Sequence, residues 1–142
     1  MRGKDLNDRN VPPPRNAQMT YVDGFVVPVP KKNVERYRRM SSKAGKIWRD
    51  HGALEYRECV ADQLKVPDSQ GKIVSVFPKI LRLKPGETVF FSWVVYKSRS
   101  HRDNVNKKVM KDPRLGTMMD PKGMPFDAKR MAFGGFRVLV DL

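Results

Sequence analysis

Glu87-Thr88-Val89-Phe90-Phe91-Ser92-Trp93-Val94-Val95-Tyr96 is the stretch from which the fold is read. Side chains alternate sides along a strand, so Val89, Phe91, Trp93 and Val95 share one face while Phe90, Ser92, Val94 and Tyr96 share the other. Both faces are apolar. A large apolar side chain left in water forfeits about 1.5–3 kcal/mol, so each face needs a cover. The stretch is expected to be a central strand with helices on one side and a second layer behind it.

Upstream, Tyr21 to Val29 reads as a strand with apolar residues on both faces, ended by Pro28 and Pro30. From Lys31 to His51, the residues Val34, Tyr37, Met40, Ala44, Ile47, Trp48 and His51 recur at steps of three and four, the stripe of an amphipathic helix. Gly52 stands where a C-terminal cap is wanted. Leu54 to Ala61 mixes Glu55, Arg57 and Glu58 with apolar residues and reads as an edge strand. Asp62 to Lys72 carries Pro67, Asp68, Ser69 and Gly71 and reads as a loop. Val74 to Leu83 is ambiguous, with Pro78 against a central strand and Phe77, Ile80 and Leu81 compatible with one helical turn.

Downstream, Ser100-His101-Arg102-Asp103 has capping-box spacing and opens a second helix through Val105 and Val109, stopped by Asp112-Pro113. Arg114 to Asp127, with Met118, Met119 and Met124, reads as an irregular flap packed by its own side chains. Arg130 to Val140 is a last strand, in which Gly134-Gly135 suggests a bulge or a close backbone approach. Residues 1–18 are polar, and Pro12-Pro13-Pro14 favours an extended tail.

Strand, helix, strand, strand, helix, strand is the ferredoxin-like βαββαβ order of an α+β domain, expected over residues 19–142 as one unit. Its antiparallel four-stranded sheet has the first and third strands in the middle, which are the two strands apolar on both faces. Two helices cover one face only. The other face is most simply buried against its own copy, so a homodimer with a dimeric α+β barrel is expected.

The net charge of +14 predicts a surface attractive to phosphate backbones, anionic metabolites or acidic partners. Aromatic residues sit in apolar strands rather than among the basic ones, so stacking platforms for bases are not visible and a solvated basic surface is the simpler reading. No apolar run approaches the roughly 18 residues of a membrane span. The opening residues lack a secretory pattern, so a cytoplasmic location is expected. The single Cys59 excludes an internal disulfide and reads as a small buried apolar residue. Neither a metal site nor a cofactor is expected, since neither histidine has a second ligand at metal-binding spacing.

Tyr21-Val22-Asp23-Gly24-Phe25-Val26-Val27, Phe91-Ser92-Trp93, Asp112-Pro113-Arg114, Met124-Pro125-Phe126-Asp127, Lys129-Arg130-Met131 and Gly134-Gly135-Phe136 together resemble the YbaA-like family of uncharacterised bacterial proteins over about residues 19–142. The resemblance implies the dimeric α+β barrel superfamily, whose members include cofactor-free oxygenases and other small-molecule enzymes. It supplies no catalytic residues. Family labels that mention signal-recognition-particle RNA find no RNA-recognition motif here.

Candidate residues therefore come from the chain itself. Asp23 is a carboxylate in a strand buried on both faces, so it must be paired or protonated, and Arg130 on the neighbouring strand is a candidate partner. Trp93 faces a space beside the sheet that can admit a small hydrophobic molecule or simply be core. His51 and His101 are available for acid–base work, although each also has a structural explanation at a helix end. Arg36, Arg39, Lys43 and Arg49 form a basic side of the first helix. Two functions follow: a homodimeric small-molecule binding protein or enzyme with its pocket beside the sheet, or a module that binds RNA or another polyanion through that helix.

Overall fold

The computed structural model describes residues 19–118 and 122–142. The expected tail over residues 1–18, and Met119 and Pro121 of the expected flap, lie outside them. Strand β1 (Tyr21–Pro30) is followed by a 3-10 turn and helix α1 (Val34–Asp50), then strand β2 (Glu55–Val60). Two short strands, β3 (Val66–Pro67) and β4 (Ile73–Val74), lead to a short helix α2 (Val76–Leu81). Strand β5 (Glu87–Tyr96), helix α3 (Arg99–Met110) and strand β6 (Ala132–Arg137) complete the order.

The main sheet is antiparallel throughout, in the order β2-β5-β1-β6. The two strands apolar on both faces are thus the central pair, and mixed β2 is an edge, as their compositions require. Register fixes the faces: Tyr21 stands opposite Tyr96, Asp23 opposite Val94, Phe25 opposite Ser92 and Val27 opposite Phe90. These residues face the helices. Ile47 of α1 and Val105 and Val109 of α3 pack there on Val94 and Tyr96, while Tyr37 packs with Val27, Val29, Phe90 and Phe126.

Several boundaries and caps differ from expectation. The second helix is capped by Ser98, whose Oγ accepts from the His101 backbone N–H, so it starts before the Ser100 box. The expected loop at 62–72 contains the hairpin arm β3, turned by Asp68, whose Oδ1 accepts from the Gln70 and Lys72 amides. The ambiguous segment is the helix α2, closed by Arg82 at φ 51°. No bulge interrupts β6, since Gly134 pairs with Gly24 and Gly135 with Asp23 in unbroken register. The close approach is real: a Cβ at Gly135 would overlap the Tyr21 hydroxyl.

The flap is pinned to the start of α1. Asn33 Nδ2 donates to the Pro125 carbonyl at 3.0 Å and Arg36 Nη2 to the Gly123 carbonyl at 2.8 Å. Phe126 consequently lies against Tyr37, edge to face at 5.6 Å.

The opposite face of the sheet carries Val22, Val26, Phe91, Trp93, Val95 and Phe136, with Cys59 opposite Phe91. Phe91 is 50% and Phe136 61% exposed. Cys59 is partly exposed there rather than a core residue. No helix of the described residues is long and apolar enough to cross a membrane.

Candidate functional site

Between the helix face of the sheet and α1 lies a cavity of about 270 Å³. Phe25 and Ser92 form its floor, Met40, Ala44 and Trp48 of α1 its roof, and Met118, Phe126 and Met131 its ends. A polar cluster is set into this apolar space. Glu58 stands opposite Ser92 on edge strand β2, so alternation turns its carboxylate toward α1. Tyr37 Oη donates to Glu58 Oε1 at 2.8 Å, and Tyr56 Oη donates to Oε2 at 3.1 Å.

Each phenol is itself held in place. Tyr37 lies against Phe90, the rings tilted by 36° with centroids 4.1 Å apart. Tyr56 is admitted by Gly45: a Cβ at that helix position would stand 2.7 Å from Tyr56 Cδ1. The helix therefore touches β2 through a residue with no side chain, and the Tyr56 ring occupies the space.

Burial pushes the Glu58 carboxyl above its ordinary range, while the Tyr37, Tyr56 and Ser92 hydroxyls pull it back. No ion pair is formed with Glu58 among the described residues. Burial and the neighbouring carboxylate drive Tyr37 and Tyr56 far upward, so both remain neutral donors. A carboxyl poised by burial, without a fixed counter-cation, can accept or give a proton to a molecule in the cavity. Its outer side meets an open groove of about 460 Å³, bordered by Arg38, Lys46 and Arg49.

The residues singled out from sequence are distributed differently. Asp23 is buried, but its partner is Arg102, whose Nη1 donates to Oδ1 at 2.6 Å. Arg130 instead binds Glu87 and donates to the Leu81 and Arg82 carbonyls, clamping the end of α2 to the start of β5. The Trp93 indole lies on the sheet face away from the helices, beside Phe91 and donating to Glu55 Oε1 at 2.8 Å, although its strand position borders the cavity. His51 Nε2 meets Asp112 Oδ2 at 2.7 Å, in a cluster where Arg114 bonds Asp112 and Asp50. His101 Nδ1 accepts from the Lys97 amide. The two histidines thus serve helix ends and turns.

Of the basic set, Arg36 is bound to the flap and Asn33, and Arg49 donates to the Leu54 carbonyl. Arg39 and Lys43 are exposed on the outer side of α1. Among the described residues, no group of three or more His, Cys, Asp or Glu is arranged to hold a metal ion.

Glu58, Tyr37, Tyr56 and Ser92 were not legible as a site from sequence. One signal exists in retrospect: Tyr56 and Glu58 are two apart on a strand, so they share a face, and β2 must lie beside the central strand bearing Ser92.

A family model described as "Protein of unknown function (DUF1428)" matches residues 20–128, a range that contains all four of these residues. "Uncharacterized protein YbaA" of Escherichia coli (strain K12) is 43% identical over 123 residues, which are 87% of this chain and 99% of that relative. Proteins of the same name from Escherichia coli O157:H7 and Shigella flexneri match to the same extent.

Proposed function

This chain belongs to the DUF1428 family, and from the geometry of its cavity we propose that it binds a small, largely apolar molecule with which Glu58 exchanges a proton. The observation that supports this reading is the Glu58 carboxyl, held by two tyrosine hydroxyls and by no ion-paired cation at the border of an apolar space. A purely structural carboxylate is ordinarily offset by a cation or left in water. The ligand fitting such a site is mostly hydrocarbon with one hydroxyl, carbonyl or acidic C–H group to meet Glu58. The reaction class is general acid–base chemistry at that group.

The protein acts as a homodimer in this reading. The uncovered sheet face, with Phe91 and Phe136 half or more exposed, favours a second copy as its cover. A second reading, binding of RNA or another polyanion, is favoured by the net charge of +14 and the exposed Arg39 and Lys43. It predicts affinity that falls steeply with salt.

Native mass spectrometry of the protein from its own host, read beside a denatured sample, tests the first reading. A dimer carrying a reproducible small mass, lost in Ala44→Leu, which fills the roof of the cavity, is the expected result. A ligand retained unchanged in Ala44→Leu and Glu58→Gln would overturn this placement, and retained RNA fragments would favour the second reading.

A further inference from the structure

A second cavity, also of about 270 Å³, lies beyond Phe25 and Trp48, which border both spaces. Its polar side is built from buried groups. Tyr96 is fully buried, and its hydroxyl, near enough to Asp23 and Trp48 to interact with them, makes no hydrogen bond of ordinary geometry. Asp23, 8% exposed, uses Oδ1 for Arg102, and Asn106 Oδ1 accepts from Trp48 Nε1 at 3.1 Å. Phe25, Phe133 and Met110 supply the apolar side.

Gly134 and Gly135 of β6 also border the space. Gly135 stands opposite Asp23 on the helix face, and its lack of a side chain makes room for the Tyr21 phenol, which a Cβ there would overlap. An orphaned, wholly buried hydroxyl costs about 1–3 kcal/mol unless something meets it. One water would meet it, but a water occupies roughly 30 Å³ and seeks two to four polar partners. The space is much larger, and half of its wall is aromatic or thioether.

We propose that this cavity is a second binding site, distinct from the Glu58 cavity, for a small neutral aromatic molecule bearing a hydroxyl group, of the phenol class. The ligand hydroxyl exchanges hydrogen bonds with Tyr96 Oη and the Asp23 carboxylate, and its ring lies among Phe25, Phe133 and Trp48. Because Asp23 and Arg102 neutralise one another, the site has no need of a charged ligand.

Trp48 and Trp93 are the two tryptophans of the chain, so Trp93→Phe leaves one indole N–H, that of Trp48, as a nuclear magnetic resonance reporter. Titration of this protein with phenol is expected to shift the Trp48 signal saturably, and toluene of the same shape to bind about tenfold more weakly. Tyr96→Phe removes an oxygen that makes no hydrogen bond of ordinary geometry in the protein and leaves the ring packing intact, so the fold is retained while phenol binding weakens about tenfold. Glu58→Gln is expected to leave phenol binding unchanged, which separates this site from the Glu58 cavity. No saturable shift, equal binding of toluene, an unaffected Tyr96→Phe, or loss of binding in Glu58→Gln would each overturn the proposal.

Discussion

The hydroxyl of Tyr37 donates to Glu58 Oε1 at 2.8 Å, joining the first turn of α1 to an edge strand of the sheet. The bond crosses an otherwise apolar interface, so it both orients the carboxylate and ties its protonation to the fold. Burial raises the Glu58 carboxyl, so the folded protein holds its proton to higher pH than the unfolded chain does. Between those two ranges the folded state binds more protons, and stability falls as pH rises. Glu58→Gln removes this titration. The stability of the variant relative to the parent is therefore expected to grow from about pH 4, the ordinary glutamate range, toward neutrality and then level off. Thermal unfolding of both proteins across that range checks it, and a flat difference would show that Glu58 titrates normally.

Tyr37→Phe and Tyr56→Phe should act on the carboxyl in the same sense as burial. Each hydroxyl favours the charged form, so its loss pushes Glu58 further up, visible in the carboxyl carbon shift of Glu58 on titration. Ring packing of Tyr37 on Phe90 and Phe126 survives the change. The expected loss of stability is about 1.5–3 kcal/mol where Glu58 is ionised, as for a hydrogen bond to a charged group, and less in acid. An equal loss at all pH values would assign the tyrosines a packing role alone.

Gly45→Ala tests how Tyr56 is placed. In an exposed helix this change gains roughly 1 kcal/mol of propensity. Here the new methyl would stand 2.7 Å from the Tyr56 ring, in a buried contact where overpacking costs about 1–3 kcal/mol. A net loss of stability and a displaced Tyr56 are expected. Unchanged or raised thermal stability would mean that the ring moves aside without cost and that Glu58 does not depend on it.

The sequence carried the architecture because hydrophobic pattern alone decides it. Val89 to Val95 and Phe25 to Val29 are apolar on both faces, so they had to be central, and the stripe from Val34 to Trp48 had to cover them. Pattern does not choose among charged partners. Arg102 and Arg130 were equally basic, and only the path of α3 over the end of β1 brings the former to Asp23. Glu58 was hidden for a related reason: in a mixed edge strand an inward carboxylate looks like a solvent-facing one until the phenols that receive it are located. Phe126 likewise became core only through the Asn33 and Arg36 bonds that fix the flap.

Arg102→Met isolates the buried pair. Removing one member of a buried ion pair costs about 3–5 kcal/mol because the other charge is left unmatched. Burial already raises the Asp23 carboxyl, and Arg102 is the main group that lowers it, so the variant should raise it further. The loss of stability is then greatest at high pH and shrinks as Asp23 protonates in acid. Adding Asp23→Asn to Arg102→Met should recover part of the loss. If the double variant were no better than Arg102→Met alone, the arginine would matter for its stacking over Tyr21, whose ring centroid lies 4.9 Å from its guanidinium carbon.

The uncovered sheet face gives the last prediction. Val22, Val26, Phe91, Trp93, Val95 and Phe136 lie on it together, and alternation leaves none of them a partner within the chain's helices. Its charged members are few and already matched: Glu55 accepts from both Trp93 and Arg57, so the face can be covered without stranding a charge. A second copy related by a two-fold axis meets those requirements with one self-complementary surface. Phe91→Lys puts an uncompensated cation near its middle, twice over in a dimer, and is expected to give a folded monomer in sedimentation equilibrium where the parent is dimeric. The helix-side core does not include Phe91, so Tyr37, Glu58 and the cavity should keep their geometry in that monomer. A parent protein that sediments as a monomer, or a Phe91→Lys variant that remains dimeric, would mean that this face is not where two copies meet.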